Sequence, residues 1–186
     1  MTPTEERDDS LMAQVASGRP ELLERLVRRH ASPLLTFIVR MVGDRHRGEE
    51  LFQEVFLAVW RKRGQYQFPR PFKPWLYRIA VNRCRAAFRG RAWTTFDFRP
   101  EDGPPHPAAP DPSPADKAVA TETAALVAAA VTRLPPQQRV VVVLRVWDGL
   151  SYAQIAEVLG RTEATVRSHM HHGLIALRKD LDPLLA

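Results

Sequence analysis

The chain of 186 residues has only one cysteine, Cys84, so it cannot form an internal disulfide bond. A single cysteine is typical of proteins in a reducing cytoplasm, and we expect Cys84 to be a small core residue. No apolar run is long enough to cross a bilayer, since the run at 140–144 stops at Arg145. The first twenty residues contain four acidic residues and lack the apolar stretch of a secretory signal. The sequence therefore predicts a cytoplasmic protein without membrane insertion.

The chain also lacks the sequence patterns of common enzymes. It has no glycine-rich loop for phosphate, no nucleophile elbow and no other catalytic constellation. The histidine-rich tetrapeptide at 169–172 raises the alternative of a metal site, because His169 and His172 share one side of a helix. No cysteine or carboxylate cluster accompanies them at ligand spacing. We therefore expect no covalent chemistry, no cofactor and no metal.

Basic residues are plentiful and unevenly distributed. The net charge is +6 and the isoelectric point is about 10.1, which favours a polyanionic partner. Between residues 61 and 99 only Asp97 is acidic, and the basic residues are Arg61, Lys62, Arg63, Arg70, Lys73, Arg78, Arg83, Arg85, Arg89, Arg91 and Arg99. Aromatic residues alternate with them: Tyr66, Phe68, Phe72, Trp75, Tyr77, Phe88 and Trp93. Such a segment can neutralise phosphates and stack unpaired bases, but it also fits a basic surface over an aromatic core.

Residues 150–179 predict two short helices joined by a four-residue turn, the arrangement of a helix-turn-helix. Ser151 and Gln154 predict a capping box at the start of the first helix. Gly160 is suited to close that helix in the left-handed conformation, and Thr162 to cap the second helix. The spacing and the caps together favour a DNA-binding unit.

The second helix of this pair has one apolar and one polar face. We expect its apolar stripe to be buried, and the stripe consists of Val166, Met170, Gly173, Leu174 and Leu177. The polar face offers side chains to phosphates and base edges: Thr165, Arg167, Ser168, His171 and His172. Arg167 is best suited to a bidentate contact with guanine. The plainer alternative is the solvated face of an amphipathic helix pair that binds no DNA.

Before about residue 90 the periodicity predicts an all-helical unit. A short helix is expected over 9–17, Pro20 suits the start of the next helix, and we expect Pro33 to break or kink it. The clearest amphipathic helix spans 48–61, and a last helix spans 75–89. The polar face of helix 48–61 carries Glu49, Glu50, Gln53 and Glu54. An acidic face beside the most basic segment indicates a protein partner, unless it is simply solvated.

Prolines between residues 100 and 114 predict an extended, flexible linker over 91–117. The linker divides the chain into units at 1–90 and 118–186, which we expect to be mobile relative to each other. In the second unit, 118–134 is predicted to be helical. The valine run at 140–143 has strand propensity, but the prolines before it suit a helix start. The predicted fold is all-α, with two small helical domains joined by an extended Pro-rich linker.

Three segments carry a family resemblance, in the order in which they occur. The segments are residues 49–60 (EELFQEVFLAVW), residues 75–82 (WLYRIAVN) and residues 134–170. On these motifs the chain resembles bacterial RNA polymerase sigma factors of the sigma-70 family, extracytoplasmic-function (ECF) type, which keep only domains two and four. The three segments are similar, in this order, to the core-binding helix, the promoter-melting helix and domain four of that family. The resemblance implies an initiation factor that binds core RNA polymerase and directs it to specific promoters.

The resemblance also implies partners and site residues. Domain two would dock on the β′ clamp helices through Glu49, Glu50, Gln53 and Glu54, and the β flap is a further implied contact. Single-stranded DNA of the minus-ten element would be melted and held by Tyr66, Arg78, Asn82 and Arg83. Domain four would read the duplex minus-thirty-five element through Thr165, Arg167, Ser168, His171 and His172. An anti-sigma factor is a further implied partner.

Two segments depart from the family pattern, namely the histidine-rich stretch after Ser168 and the proline-rich loop at 68–74. The base preference of the family therefore does not transfer to this chain. The main alternative is a regulator that binds duplex DNA without polymerase. That alternative does not explain the acidic helix or the segment in which basic and aromatic residues alternate.

Overall fold

The computed structural model describes residues 7–88 and 116–185, with side chains described except at 116–123 and 183–185. Within these two ranges it has eight α-helices and no β-strand, as predicted for an all-α protein. The helices are α1 (Asp8–Ala16), α2 (Leu23–Val42), α3 (Arg45–Lys62), α4 (Phe72–Ala87), α5 (Asp116–Arg133), α6 (Pro136–Val146), α7 (Tyr152–Leu159) and α8 (Glu163–Leu185). The predicted linker at 91–117 lies almost wholly outside the described residues.

Helices α1 to α4 form the N-terminal unit. α3 buries Val55 and Val59 on its apolar face, as its periodicity predicts. α2 and α3 approach closely at Gly48, where an added Cβ would lie 2.6 Å from Cγ2 of Val39. Cys84 on α4 is fully buried, which confirms its predicted place in the core, and burial raises the pKa of its thiol to about 12.

The helix α2 continues through Pro33, so the predicted break is wrong. A proline inside a helix removes one backbone hydrogen bond. The loss is offset because α2 buries apolar side chains on both sides of the proline, including Leu26 and Leu34, which are fully buried. α2 also packs against α1, α3 and α4. Burial in the tertiary structure therefore outweighs the local preference of proline.

Helices α5 to α8 form the C-terminal unit, and α6 lies at its centre. The valine run is helical as predicted, with Pro136 in the first turn and residues 140–144 buried. The half-buried side chain of Arg139 donates hydrogen bonds to the carbonyl oxygens of Thr132 and Leu134 at the end of α5. Burial lowers the pKa of this guanidinium to about 10, so it stays charged at neutral pH. Arg139 thereby ties α6 to the preceding turn.

The two units contact each other directly, in addition to their covalent connection. α4 packs against α7, and α2 packs against α5 and α6. Nη1 of Arg139 donates to the carbonyl oxygen of Met41 on α2, at 2.8 Å. The sequence led us to expect two units that move independently. The structure places the two units side by side, with charged and aromatic groups of each unit contacting the other. Their relative motion stays a prediction.

We predict that Gly173→Ala destabilises the chain by about 1 kcal/mol, although alanine favours helices. A Cβ at Gly173 on α8 would lie 2.8 Å from Cγ2 of Val142 on α6, and the β-branched valine has little freedom to move. Denaturant unfolding measures the effect. The matched control is Gly64→Ala, because a Cβ at Gly64 meets no atom within 4 Å. Equal unfolding midpoints for the Gly173→Ala variant and the unmodified chain would contradict this close approach.

Candidate nucleic-acid interface

The helix-turn-helix has the local geometry that its sequence predicts. Oγ of Ser151 accepts from the amide of Gln154 at 3.2 Å, and the Gln154 side chain accepts from the amide of Ser151 at 2.8 Å. Gly160 ends α7 with φ of +63°, a left-handed conformation that glycine adopts at little cost. Oγ1 of Thr162 accepts from the amide of Thr165, which caps α8. These local bonds set the direction in which α8 leaves the turn.

The buried stripe of α8 is narrower than predicted. Val166, Met170 and Leu177 are buried, and Gly173 lies against α6. Leu174, however, is 48% exposed, so its predicted burial is wrong. Gly173 brings the α8 backbone close to α6 at this point, and Leu174, one residue further along, is rotated by about 100° away from that contact.

The predicted minus-thirty-five residues lie together on the outer face of α8. Arg167, Ser168, His171 and His172 are exposed, and Thr165 is half-buried beside the cap. The guanidinium of Arg167 lies 4.5 Å from the ring centroid of Tyr152 and donates to Glu163 at 3.1 Å. A stacked guanidinium loses less rotational freedom when it binds a base edge. The structure therefore presents Arg167 in a restricted orientation at the start of α8.

The histidines of α8 differ in their surroundings. His169 is half-buried, and its pKa is lowered by burial and by the positive charges of Arg161 and His172. His171 and His172 are exposed, with ring centroids 5.7 Å apart. Across the described part of the chain, no group of three or more His, Cys, Asp and Glu side chains is placed to hold a metal ion.

The predicted minus-ten residues do not all share one surface. Arg78 and Asn82 are exposed on α4, one helical turn apart, and Arg83 lies half-exposed 3.7 Å from Glu54 of α3. Tyr66 is buried instead, and its hydroxyl donates to the carbonyl oxygen of Arg70. Burial raises the pKa of this phenol to about 12. Tyr66 thus supports the loop before α4 from inside.

Most aromatic rings of the basic segment belong to the core. Phe72, Trp75 and Tyr77 are buried, and Trp75 meets Tyr66 edge-on with ring centroids 5.3 Å apart. Phe68, by contrast, is 60% exposed at the loop before α4. The sequence placed Phe68 among the aromatic residues of the basic segment but did not indicate it as a site residue. Its position between Gln67 and Pro69, in a loop and not in a helix, could have indicated an exposed ring.

The acidic face of α3 is exposed but carries its own counter-charges. Arg45 pairs with Glu49 at 3.0 Å and Arg47 with Glu50 at 2.5 Å. Both pairs are exposed, and such pairs contribute little stability. Gln53 and Leu57 are exposed on the same helix, and Leu57 has 55% of its surface exposed. An apolar side chain beside exposed ion pairs is a surface suited to a protein partner.

Comparisons with known proteins identify both units. The family profile described as Sigma-70 region 2 matches residues 26–94, and the profile described as Sigma-70, region 4 matches residues 124–177. The RNA polymerase sigma-H factor of Pseudomonas aeruginosa is 32% identical over 188 residues, which cover 98% of this chain and 97% of that protein. The chain belongs to the sigma-70 family of RNA polymerase sigma factors.

The relatives of this sigma factor place it with the ECF type. The ECF RNA polymerase sigma factor SigE of Mycolicibacterium smegmatis is 38% identical over 83% of this chain and 60% of that protein. A solved structure of CnrH in complex with the cytosolic domain of CnrY has a TM-score of 0.73 and 26% identity, covering 96% of this chain and 99% of that one. The chain is therefore a transcription initiation factor that directs RNA polymerase to promoters. None of its described helices is both long and apolar enough to span a membrane.

We predict a large loss of stability at one ring of the loop before α4 and almost none at the other. Tyr66→Ala lowers the free energy of unfolding by about 3 kcal/mol, because it empties a buried site and leaves the Arg70 carbonyl without its donor. Phe68→Ala changes it by less than about 0.5 kcal/mol, because most of that ring is exposed. Thermal or denaturant unfolding distinguishes them, and similar losses for both variants would place Phe68 in the core.

Proposed function

We propose that the two units of this sigma factor divide promoter recognition between them. The N-terminal unit melts the minus-ten element and docks on core polymerase, and the C-terminal unit reads the minus-thirty-five element as duplex. The observation that carries this proposal is the placement of exposed basic and polar side chains on α4 and α8, in the units that match regions 2 and 4. The chain itself performs no covalent chemistry and acts in the cytoplasm, where polymerase supplies the catalysis.

In the C-terminal unit, α8 is the helix that enters the major groove. Its N-terminal turns are capped and carry the exposed polar residues Arg167, Ser168, His171 and His172, with Thr165 half-buried beside them. Helix-turn-helix proteins contact base edges with this part of the second helix. Arg167 can leave its exposed ion pair with Glu163 and bind the edge of a guanine. The loss of free energy is small, because exposed ion pairs are weak.

In the N-terminal unit, we assign base stacking to Phe68 and backbone contacts to the exposed face of α4. Phe68 offers an exposed ring in a loop beside Arg70 and Lys73. Stacking of an unpaired base on an aromatic ring is worth about 1 to 3 kcal/mol, which offsets the cost of unstacking a base pair step. Arg78, Asn82 and Arg83 then hold the strand, and Tyr66 keeps the loop in shape from within. This assignment revises the role that the family resemblance implies for Tyr66.

Core polymerase and a regulatory protein are the proposed protein partners. The exposed face of α3, with Glu49, Glu50, Gln53 and Glu54, would meet the β′ clamp helices, and the C-terminal unit would meet the β flap. The solved relative CnrH is in complex with the cytosolic domain of CnrY. On that ground we also propose a protein partner of the anti-sigma type for this chain.

In vitro transcription with purified core polymerase tests the proposal. With the chain present, we expect initiation at a discrete set of promoters that share two elements, mapped by sequencing the transcripts from a genomic library. Phe68→Ala should reduce the open complexes detected by permanganate at the minus-ten element by about ten-fold, by loss of stacking. Duplex binding to the minus-thirty-five element should be unchanged. Equal promoter binding without polymerase would favour the stand-alone regulator instead.

We predict that Gln53→Ala with Glu54→Lys weakens binding to core polymerase by at least about five-fold, or about 1 kcal/mol. The lysine places a like charge on the docking face and repels Arg83, which now pairs with Glu54 at 3.7 Å. Titration of labelled chain into core polymerase measures the affinity. The control is Glu24→Lys on α2, which removes a similar exposed pair with Arg28. Unchanged affinity of the α3 variant, with its fold intact by circular dichroism, would reject this docking face.

A further inference from the structure

Two exposed histidines lie on the outer face of α8, beside the arginine that we assign to base reading. His171 and His172 are exposed, with ring centroids 5.7 Å apart. His171 follows Arg167 by four residues, so the two side chains are neighbours on the helix surface. Nδ1 of His172 lies 3.5 Å from Oγ of Ser168, one turn earlier. A duplex that α8 contacts through Arg167 and Ser168 therefore also meets both imidazole rings.

A histidine can meet DNA in two chemical forms. The neutral ring has one N–H donor and one acceptor nitrogen, whereas the protonated ring has two donors and a positive charge. An ordinary histidine changes between these forms near pH 6.5, and no other ordinary side chain changes its charge between pH 5 and pH 8. Arginine or lysine in these two positions would be charged at every physiological pH. Histidines make the charge of the DNA-facing surface depend on pH.

The described acidic groups around α8 already have other partners. α8 packs against α5, α6 and α7. Acidic side chains on α8 and on these helices pair with arginines: Glu163–Arg167, Asp180–Arg133, Asp182–Arg178 and Glu157–Arg70. Tyr152 on α7 lies under the guanidinium of Arg167. Among the described residues, no carboxylate forms an ion pair with His171 or His172. A DNA phosphate is therefore the anion that these rings meet on binding.

The described basic groups around α8 come from its own surface, from α5 and α6 and from the preceding turn. Besides the paired arginines they are Arg139, Arg145, Arg161 and Lys179. Both α6 arginines donate to backbone carbonyl oxygens. Burial, Arg161 and His172 lower the pKa of His169, which is half-buried. His169 therefore stays neutral at neutral pH, and the two exposed rings are the titrating groups of this face.

Binding of duplex DNA favours the charged form of both rings. A phosphate within about 4 to 6 Å of an imidazolium raises the pKa of a histidine by about one pH unit or more. A group whose pKa is higher in the complex takes up a proton on binding. Affinity is then highest at low pH and falls as the pH rises through the pKa of the complex. With two such rings, affinity at pH 6 exceeds affinity at pH 8 by about thirty-fold.

We propose that α8 takes up protons on His171 and His172 when it binds the minus-thirty-five duplex, so that promoter binding strengthens as the pH falls. This inference rests on the proposed function, because it assumes that α8 enters duplex DNA. Neutral rings would contact base edges equally well at pH 6 and at pH 8. With proton uptake, an acidic shift of the cell interior raises promoter occupancy at a constant amount of the sigma factor.

Promoter binding by the holoenzyme at two pH values tests the proposal. The probe is a labelled duplex of a promoter mapped in the transcription experiment. We expect the ratio of the dissociation constants at pH 8 and pH 6 to be about thirty-fold larger for the unmodified chain than for His171→Gln with His172→Gln. Any pH dependence of polymerase itself is common to both and cancels. His46→Gln, at an exposed histidine of α3, is the matched control and should keep the full ratio.

The salt dependence of binding separates the charge of the rings from their shape. Each cation that neutralises a phosphate adds about 0.9 to the slope of log affinity against log salt concentration. The slope for the unmodified chain should therefore be steeper at pH 6 than at pH 8 by about 1 to 2, and the glutamine variant should show no such steepening. His171→Arg with His172→Arg should show the steep slope at both pH values. A purely structural role of the rings would change affinity without this pattern.

Two results would overturn proton uptake at this face. One is a glutamine variant with the same pH ratio as the unmodified chain, and the other is an unmodified chain with equal salt slopes at both pH values. Failure of the proposed function looks different, because core polymerase then initiates no differently with the chain present. In that case the full chain alone, on random-sequence duplex DNA, still reports whether the two histidines make duplex binding depend on pH.

Discussion

The chain reversal at residues 147–149 is the constraint on which the arrangement of the whole molecule depends. α6 ends at Val146, and Gly149, with φ of +67°, turns the chain back toward α7. The reversal presents Trp147 and Asp148 to helices of the N-terminal unit. Units of this size bury only a modest core of their own. One short turn therefore decides both how α7 and α8 are attached to α6 and how the two units meet.

The charged contacts of the molecule fall into two groups with different consequences. The pairs on α3 and at the start of α8, such as Arg45–Glu49 and Arg167–Glu163, are exposed and join neighbours on one helix. They contribute little stability and orient side chains that remain free to exchange partners. Asp148 is different, because it is buried and burial raises the pKa of its carboxyl group, against the effects of Tyr77, Lys73 and Arg40. A buried carboxyl group of this kind requires its partners to stay in place, because exchange of partners would leave it buried without a donor.

Several features of the candidate site were predictable because they depend on residues close in sequence. The capping box at Ser151, the left-handed Gly160 and the cap at Thr162 all involve neighbours within four positions, and the structure confirms them. The wrong predictions concern residues whose conformation or burial depends on an element that is distant in sequence. The continuation of α2 through Pro33 depends on packing against five other helices, and the exposure of Leu174 depends on how closely α8 approaches α6.

The sequence alone determined where the helices form and, through the order of its motifs, the family to which the chain belongs. Capping, turn chemistry and amphipathic periodicity act over one or two helical turns, so they can be evaluated without knowing the fold. Only the tertiary structure decided that Tyr66 is buried and that the two units contact each other. The Tyr77–Asp148 and Arg70–Glu157 contacts join residues 71 and 87 positions apart. No local pattern encodes such pairings, because each depends on the packing of every helix between them.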